Sequence, residues 1–296
     1  MRSIKEIDVK GKRVLMRVDF NVPIKDGKIT DDTRIRAVLP SINYVLEQGG
    51  KLILMSHLGR PKGKNIPEFS LKPVSQRLSE LLNKPVEFAS CCVSEEALEK
   101  ANKLKPGEVL LLENTRFHIE EEKNDPEYAK KLARLGDVYI NDAFGTMHRA
   151  HASTEGVAHY FREKGYGLLV EKELKYLKET LENPLRPFIA ILGGAKVFDK
   201  VEVIENLANR ADKILIGGAM MFTFYRAMGF ETGNSKVEEE KLTLAKTLYD
   251  KYKDKIVLPD DTVVANEISD TAQKKTVDKQ AVPSGWYGLD IGEKTI

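Results

Sequence analysis

The sequence has 296 residues, 42% hydrophobic and 31% charged, a globular balance with enough apolar mass for packed cores. Its 47 basic and 45 acidic residues leave a formal charge of +2. That near-cancellation excludes whole-molecule attraction to nucleic acid or an anionic membrane and leaves anion binding to local basic patches.

Taken from the N-terminus, MRSIKEIDVKGKR carries charge but no apolar signal core, so export is not indicated. The first apolar run, RVLMRV (13–18), predicts a buried strand, and the loop KDGKITDD leads to a helical pattern over 34–48 that Arg34 opens. KLILMS (51–56) predicts the next strand and 70–83 the next helix. Cys91 and Cys92 precede a helix over 94–104; neighbouring cysteines rarely bridge, so both are read as reduced thiols, and no Cys/His spacing suggests structural zinc. VLLLE (109–113), a helix over 125–135 and DVYIN (137–141) continue the alternation.

GLLVEKELKYLKETLENPLRP (167–187) breaks the rhythm. It reads as one helix carrying Leu169, Leu174, Leu177 and Leu181, stopped by NPLRP, and predicts a connector between domains. FIAILGG (188–194), KILIGG (213–218) and KIVLP (255–259) then predict strands, with helices over 199–210 and 236–253. The closing QAVPSGWYGLDIGEKTI is turn-rich and predicts no closing helix or strand. No apolar run reaches the roughly eighteen residues that cross a membrane.

Continuous apolar strands alternating with helices predict α/β, doubly wound parallel-sheet architecture with right-handed crossovers. The length favours two domains. The expected organisation is a first domain over 1–167, a hinge helix over 168–187 and a second, incomplete domain over 188–296.

Ligands of such sheets bind beyond the carboxyl ends of the strands. There the sequence places Asp19 and Asn21, then His57 and Arg60, then Asn114, Arg116 and His118, then Asp142, His148, Arg149 and His151. Any one arginine could be plain surface charge, and Asp19 and Asn21 could simply form the turn before Pro23. Arg34, Arg60, Arg116 and Arg149 with His57, all at strand ends, instead predict a rim for a small ligand bearing at least two negative groups. His148 and His151 lie three apart, a metal-like spacing, but lack a carboxylate partner. No G-x-S-x-G elbow marks a hydrolase. In the second half, ILGGAKVFDK puts Lys196 and Lys200 four apart after a glycine turn, sharing a helix face if the helix begins near Lys196. LIGGAMMFTF repeats the strand and glycine turn, and such turns let backbone amides approach phosphate; tight strand-to-helix packing is the other reading.

The motifs RVDFNVP, MSHLGRP, LLENTRFH, NDAFGTMHRAHAS, ILGGAKV, IGGAM and the glycine-rich GWYGLDIG, in this order along essentially the whole chain, resemble the phosphoglycerate kinase family, most closely its bacterial members. The resemblance implies two Rossmann-like domains joined by a helical hinge. It implies phosphoryl transfer between 1,3-bisphosphoglycerate and ADP, giving 3-phosphoglycerate and ATP, with Mg2+ carried by the nucleotide. It assigns Asp19, Phe20, Asn21, Arg34, His57, Leu58, Gly59, Arg60, Arg116 and Arg149 to the phosphoglycerate site. Gly194, Lys196, Gly217, Gly218 and Gly288 go to the nucleotide site, and Arg34, Lys196 and Lys200 to catalysis, with closure about the hinge. A cytoplasmic monomer is expected. Phe198 stands where the family usually has a small residue. The family's WNGP, GGGD and STGGGASLE segments do not occur, so the protein ligand of the metal is expected beyond residue 296. A phosphoglycerate-binding module with an impaired nucleotide half is the alternative expectation.

Overall fold

The computed structural model describes residues 2–279 and 281–296 and divides into two compact units, Met1–Leu177 and Lys178–Ile296. In the first unit the strands are β1 (Arg2–Ser3), β2 (Arg13–Arg17), β3 (Ile24–Lys25), β4 (Lys28–Ile29), β5 (Lys51–Met55), β6 (Val86–Ala89), β7 (Val109–Leu112), β8 (Val138–Asn141) and β9 (Lys164–Tyr166). Its helices are α1 (Thr33–Glu47), α2 (Lys72–Leu82), α3 (Glu95–Lys103), α4 (Ile119–Glu122) and α5 (Pro126–Ala133). α6 (Leu168–Glu182) begins in this unit and ends in the second.

Seven strands form one parallel sheet in the order β1-β9-β8-β2-β5-β7-β6. The apolar runs are continuous because both faces are covered. Val14 and Met16 of β2, Leu52 and Leu54 of β5, and Val109 and Leu111 of β7 enter one core layer with α1 and α2. Leu15, Ile53, Leu110 and Leu112 enter the opposite layer with α3 and α5. The predicted strands at 13–18, 51–56, 109–113 and 137–141 are therefore present. β6 was not expected: it is a four-residue edge strand, only partly buried, with no continuous apolar run.

The second unit holds β10 (Ile189–Leu192), β11 (Lys213–Ile216), β12 (Glu231–Thr232), β13 (Ile256–Val257), β14 (Asp261–Ala265), β15 (Lys274–Asp278), β16 (Ala281–Val282) and β17 (Tyr287–Ile291). Its helices are α7 (Val201–Ala208), α8 (Met220–Ala227) and α9 (Leu242–Lys251). β10, β11 and β13 form a parallel sheet in that order. α8 buries Met220, Met221, Phe222, Phe224 and Tyr225 at the centre of the core.

Two expectations are corrected here. The closing segment does contain a strand, β17, which pairs antiparallel with β14 while β15 pairs with β14's other edge. Its glycine-rich sequence hid it, yet Gly288 is what lets the strand lie against Phe222: a Cβ there would sit 2.0 Å from the ring. The helix at 236–253 is also shorter, since α9 starts only at Leu242, after a 3-10 turn over Glu239–Lys241. α6 stops at Glu182, ahead of Pro184, as a helix approaching proline must.

Candidate functional site

β8, β2, β5 and β7 are immediate neighbours in the sheet, so the loops leaving their carboxyl ends emerge side by side. Asp19 Oδ2 accepts from Arg34 Nη1 at 2.7 Å, which ties the β2 loop to the first turn of α1. The Phe20 amide donates to Ser56 Oγ at 2.9 Å, and Asn21 Oδ1 accepts from the Gly59 amide at 2.9 Å, which locks the β2 loop to the β5 loop. Asn114 then clamps the β5 loop to the β7 loop: its Oδ1 accepts from the Leu58 amide at 3.2 Å and its Nδ2 donates to the Leu58 carbonyl at 2.7 Å. Arg116 Nη1 donates to the Gly59 carbonyl at 2.9 Å. Gly59 has φ +61°, and a Cβ there would stand 2.5 Å from the Phe69 ring, so the position requires glycine twice over.

At the centre lies a charge that the sequence reading overlooked. Arg17, the last residue of β2, is 1% exposed. Its Nε donates to Ser153 Oγ at 2.9 Å, its Nη1 to the Val18 carbonyl, and its Nη2 to His57 Nδ1 at 3.1 Å. Ser153 in turn donates from Oγ to Glu121 Oε1 at 2.5 Å and from its amide to Oε2 at 2.9 Å. A cation and a carboxylate are thus buried together through a shared hydroxyl, which meets the demand that buried charge be hydrogen-bonded. The signal was present in RVLMRV, an arginine inside a run buried on both faces.

His57 is buried, and burial first, then the charges of Arg17, Arg116 and Arg149, push its pKa down to about 2. The ring is therefore neutral, and because Nδ1 accepts from Arg17 its proton resides on Nε2, leaving an N–H donor. Arg116, also buried, is pushed below its ordinary value by burial, with Arg149 and Arg17 adding like-charge repulsion against the opposing pull of Glu122. Arg116 Nε lies 3.3 Å from Glu122 Oε1 without hydrogen-bond alignment. Cations crowded in this way are relieved by an anion. Asp19, Asn21, Arg34, Gly59 and Arg116 are joined by direct hydrogen bonds, and Phe20, His57 and Leu58 are tied in through Ser56, Arg17 and Asn114. Arg149, half-exposed in the loop after β8, acts on this group through its charge. Arg60 is exposed beside Gly59, with no ion pair among the described residues.

In the second unit the two glycine turns lie against each other. The Gly217 amide donates to the Leu192 carbonyl and the Met220 amide to the Gly194 carbonyl, both at 2.8 Å. Gly218, at φ +65°, comes so near that a Cβ would stand 2.8 Å from the Gly194 nitrogen. Lys196 is exposed, and Lys200 Cε lies 4.0 Å from where a Cβ on Gly194 would be. The expected shared helix face is not formed: a 3-10 turn spans Phe198–Lys200 and α7 starts at Val201, past both lysines. Glu238 Oε2 accepts from the Val197 amide at 2.5 Å and the Phe198 amide at 3.4 Å as the chain enters that 3-10 turn. Phe198 is 57% exposed, with Lys241 Nζ 4.4 Å from its ring centroid. Gly288 donates its amide to Ser235 Oγ at 2.9 Å and lies against Phe222. Among the described residues no group of three or more His, Cys, Asp or Glu side chains is placed to hold a metal.

A family model described as phosphoglycerate kinase matches residues 4–296. A phosphoglycerate kinase of Chloroherpeton thalassium is 55% identical over 297 residues, covering 99% of this chain and 75% of the relative. One of Thermosipho africanus is 57% identical over 298 residues, covering 99% and 74%. Among solved structures, phosphoglycerate kinase from Coxiella burnetii is similar with a TM-score of 0.83 at 39% identity, over 99% of this chain and 75% of that one. The Pyrococcus horikoshii enzyme gives 0.85 at 34%, over 100% and 76%.

Proposed function

The chain belongs to the phosphoglycerate kinase family, and from that premise we propose how its residues divide the family's reaction, phosphoryl transfer between 1,3-bisphosphoglycerate and ADP to give 3-phosphoglycerate and ATP. The first unit's rim holds the three-carbon acid. Arg116, Arg149, Arg60 and Arg34 face its anionic groups, the neutral His57 donates from Nε2, and Asp19 and Asn21 hold its hydroxyl. The observation that carries this reading is the convergence of Arg17, Arg116 and Arg149 about an uncharged His57 where four strands end, with Arg17 bonded to the ring itself.

In the second unit Lys196 and Lys200 attend the nucleotide phosphates, with Gly194, Gly217 and Gly218 allowing close backbone approach. Packing against Phe222 is sufficient reason for Gly288, so its share in the nucleotide site is indirect. Mg2+ enters as part of the nucleotide substrate. The acceptor in the direction of ATP consumption is a carboxylate, already ionised near neutral pH, so no general base is required. Catalysis then consists of positioning and of positive charge from Arg34, Lys196 and Lys200 on the transferring oxygens, with closure bringing donor and acceptor together. The two free cysteines accord with a cytoplasmic setting, and the working unit is a monomer.

Calorimetry of 3-phosphoglycerate and of Mg-ADP, with a coupled turnover assay, tests the division. Arg116→Ala is expected to weaken 3-phosphoglycerate binding and leave Mg-ADP binding unchanged. Undiminished 3-phosphoglycerate affinity in the folded variant would overturn the assignment.

A further inference from the structure

We propose that Cys91, paired with His118 at the mouth of a cavity of about 150 Å3, is a thiol modification site that forms a mixed disulfide with low-molecular-weight disulfides and thereby displaces the Arg116 turn. The effect on substrate rests on the reading of Arg116 given above; the chemistry at sulfur does not.

The nucleophile, a base and its orienting partners are all present. Cys91 Sγ and His118 Nε2 are 3.5 Å apart, within hydrogen-bond reach for sulfur. The His118 ring is held against Tyr128, with centroids 5.1 Å apart. Cys91 precedes Ser94, whose Oγ caps α3 by accepting from the Ala97 amide at 3.1 Å. The Val93 and Ser94 amides at that helix start act on the sulfur, and the imidazole bond, the largest cause, holds the thiol below its ordinary value against the opposing effect of burial. A neighbouring histidine and a helix start both favour thiolate. Cys92 next to it is its opposite: fully buried, it donates Sγ–H to the Glu113 carbonyl at 2.9 Å, and burial holds its thiol well above the ordinary value. The other charged groups nearby are committed elsewhere. Glu113, on the same cavity, accepts from Ser70, Leu71 and Asn114, while Glu95 and Glu96 of α3 pair with Arg134 and Lys100.

In the reaction the Cys91 proton passes to His118 Nε2. The thiolate attacks one sulfur of the disulfide, a new S–S bond forms, and the other half leaves as thiolate; an added thiol reverses the exchange. An adduct takes the space His118 needs to reach Sγ. His118 closes the turn Thr115–Phe117 that holds Arg116, and the cavity wall includes Asn114, which accepts from the Arg116 amide at 3.0 Å. Displacement is thereby passed to the rim.

The test uses the full reduced chain, iodoacetamide over pH 5–9 and glutathione disulfide, with fragmentation mass spectrometry to separate the two adjacent cysteines. Cys91 is expected to be alkylated faster than Cys92, with a pH midpoint below that of a free thiol, and His118→Gln is expected to move that midpoint up. Glutathione disulfide should add one equivalent at Cys91, reversibly, and weaken 3-phosphoglycerate binding about tenfold. Cys91→Ser should abolish both the adduct and the loss. Equal alkylation of the two cysteines, or a Cys91 profile indifferent to His118→Gln, would overturn the site. An adduct that forms with unchanged 3-phosphoglycerate binding, while Arg116→Ala still weakens it, would overturn only the displacement of Arg116. Were both the adduct and Arg116→Ala without effect on binding, the fault would lie in the Arg116 assignment.

Discussion

The two candidate rims are built in opposite ways. In the first unit, side chains from three loops, α1 and the end of β2 hold one another or the neighbouring backbone: Asp19 to Arg34, Asn21 to Gly59, Asn114 to Leu58, Arg116 to Gly59, and Arg17 to His57. In the second, backbone does the work. Two glycine turns stack, and the lysines that follow are left exposed or half-exposed. The first rim's side-chain network suits the anion of fixed shape proposed for it; the second offers backbone amides and exposed lysines, which suit the proposed phosphate chain. The strands beneath differ in the same sense: β2 and β5 are buried on both faces, whereas β10 leaves Ile191 76% exposed.

The sharpest way to break this contrast is to remove the buried cation. Arg17→Ala strands Glu121 and Ser153 without it, and is expected to cost about 4 kcal/mol in urea unfolding of the first unit; a loss under 1 kcal/mol would mean the network is ornamental. Lys196→Ala should touch only the other rim, lowering kcat about a hundredfold while calorimetry finds 3-phosphoglycerate binding intact. Parallel losses in both would erase the division of labour.

A third prediction concerns pH. The folded His57 pKa, about 2, lies below the ordinary 6.5, so between those values the unfolded chain binds the extra proton. The stability tied to neutral His57 is therefore full above pH 6.5 and declines as the solution is acidified toward the folded value. From pH 7 to 5 that single group accounts for about 2 kcal/mol, and His57→Gln should flatten the acid limb of the stability profile by that amount. The smallest effect is expected in the second unit. Gly288→Ala drives a methyl into Phe222 and should cost about 1.5 kcal/mol, with Phe222→Leu in the same chain recovering part of it.

How much of this was legible in the sequence follows from what each feature depends on. β2, β5, β7 and β8 were readable because a strand buried on both faces must be apolar throughout. The meeting of Asp19, Asn21, Gly59 and Arg116 was readable because residues that follow neighbouring parallel strands emerge side by side. β6 escaped because an edge strand needs no continuous apolar run, and β17 because its one glycine, Gly288, answers to Phe222, some sixty-six residues earlier in the chain. Glu238 escaped for a related reason. Nothing in ILGGAKVFDK announces that a carboxylate forty residues away will take the Phe198 amide, or that the turn there will be 3-10. Arg17 is a different failure: the residue was in view, but a charge in a strand was absorbed into the hydrophobic count.

The strand order has a consequence for synthesis. β2 is among the first segments to leave the ribosome, yet one of its two neighbours, β8, is completed only at Asn141, and β1 waits for β9 at Lys164–Tyr166. Until then the nascent chain carries a central strand with one bare, strongly apolar edge, a state that invites mispairing. The first unit therefore closes late, and the Arg17–Ser153–Glu121 link cannot form until Ser153 has followed β8 out. Through most of that unit's synthesis the future buried cation lacks the hydroxyl that joins it to its carboxylate.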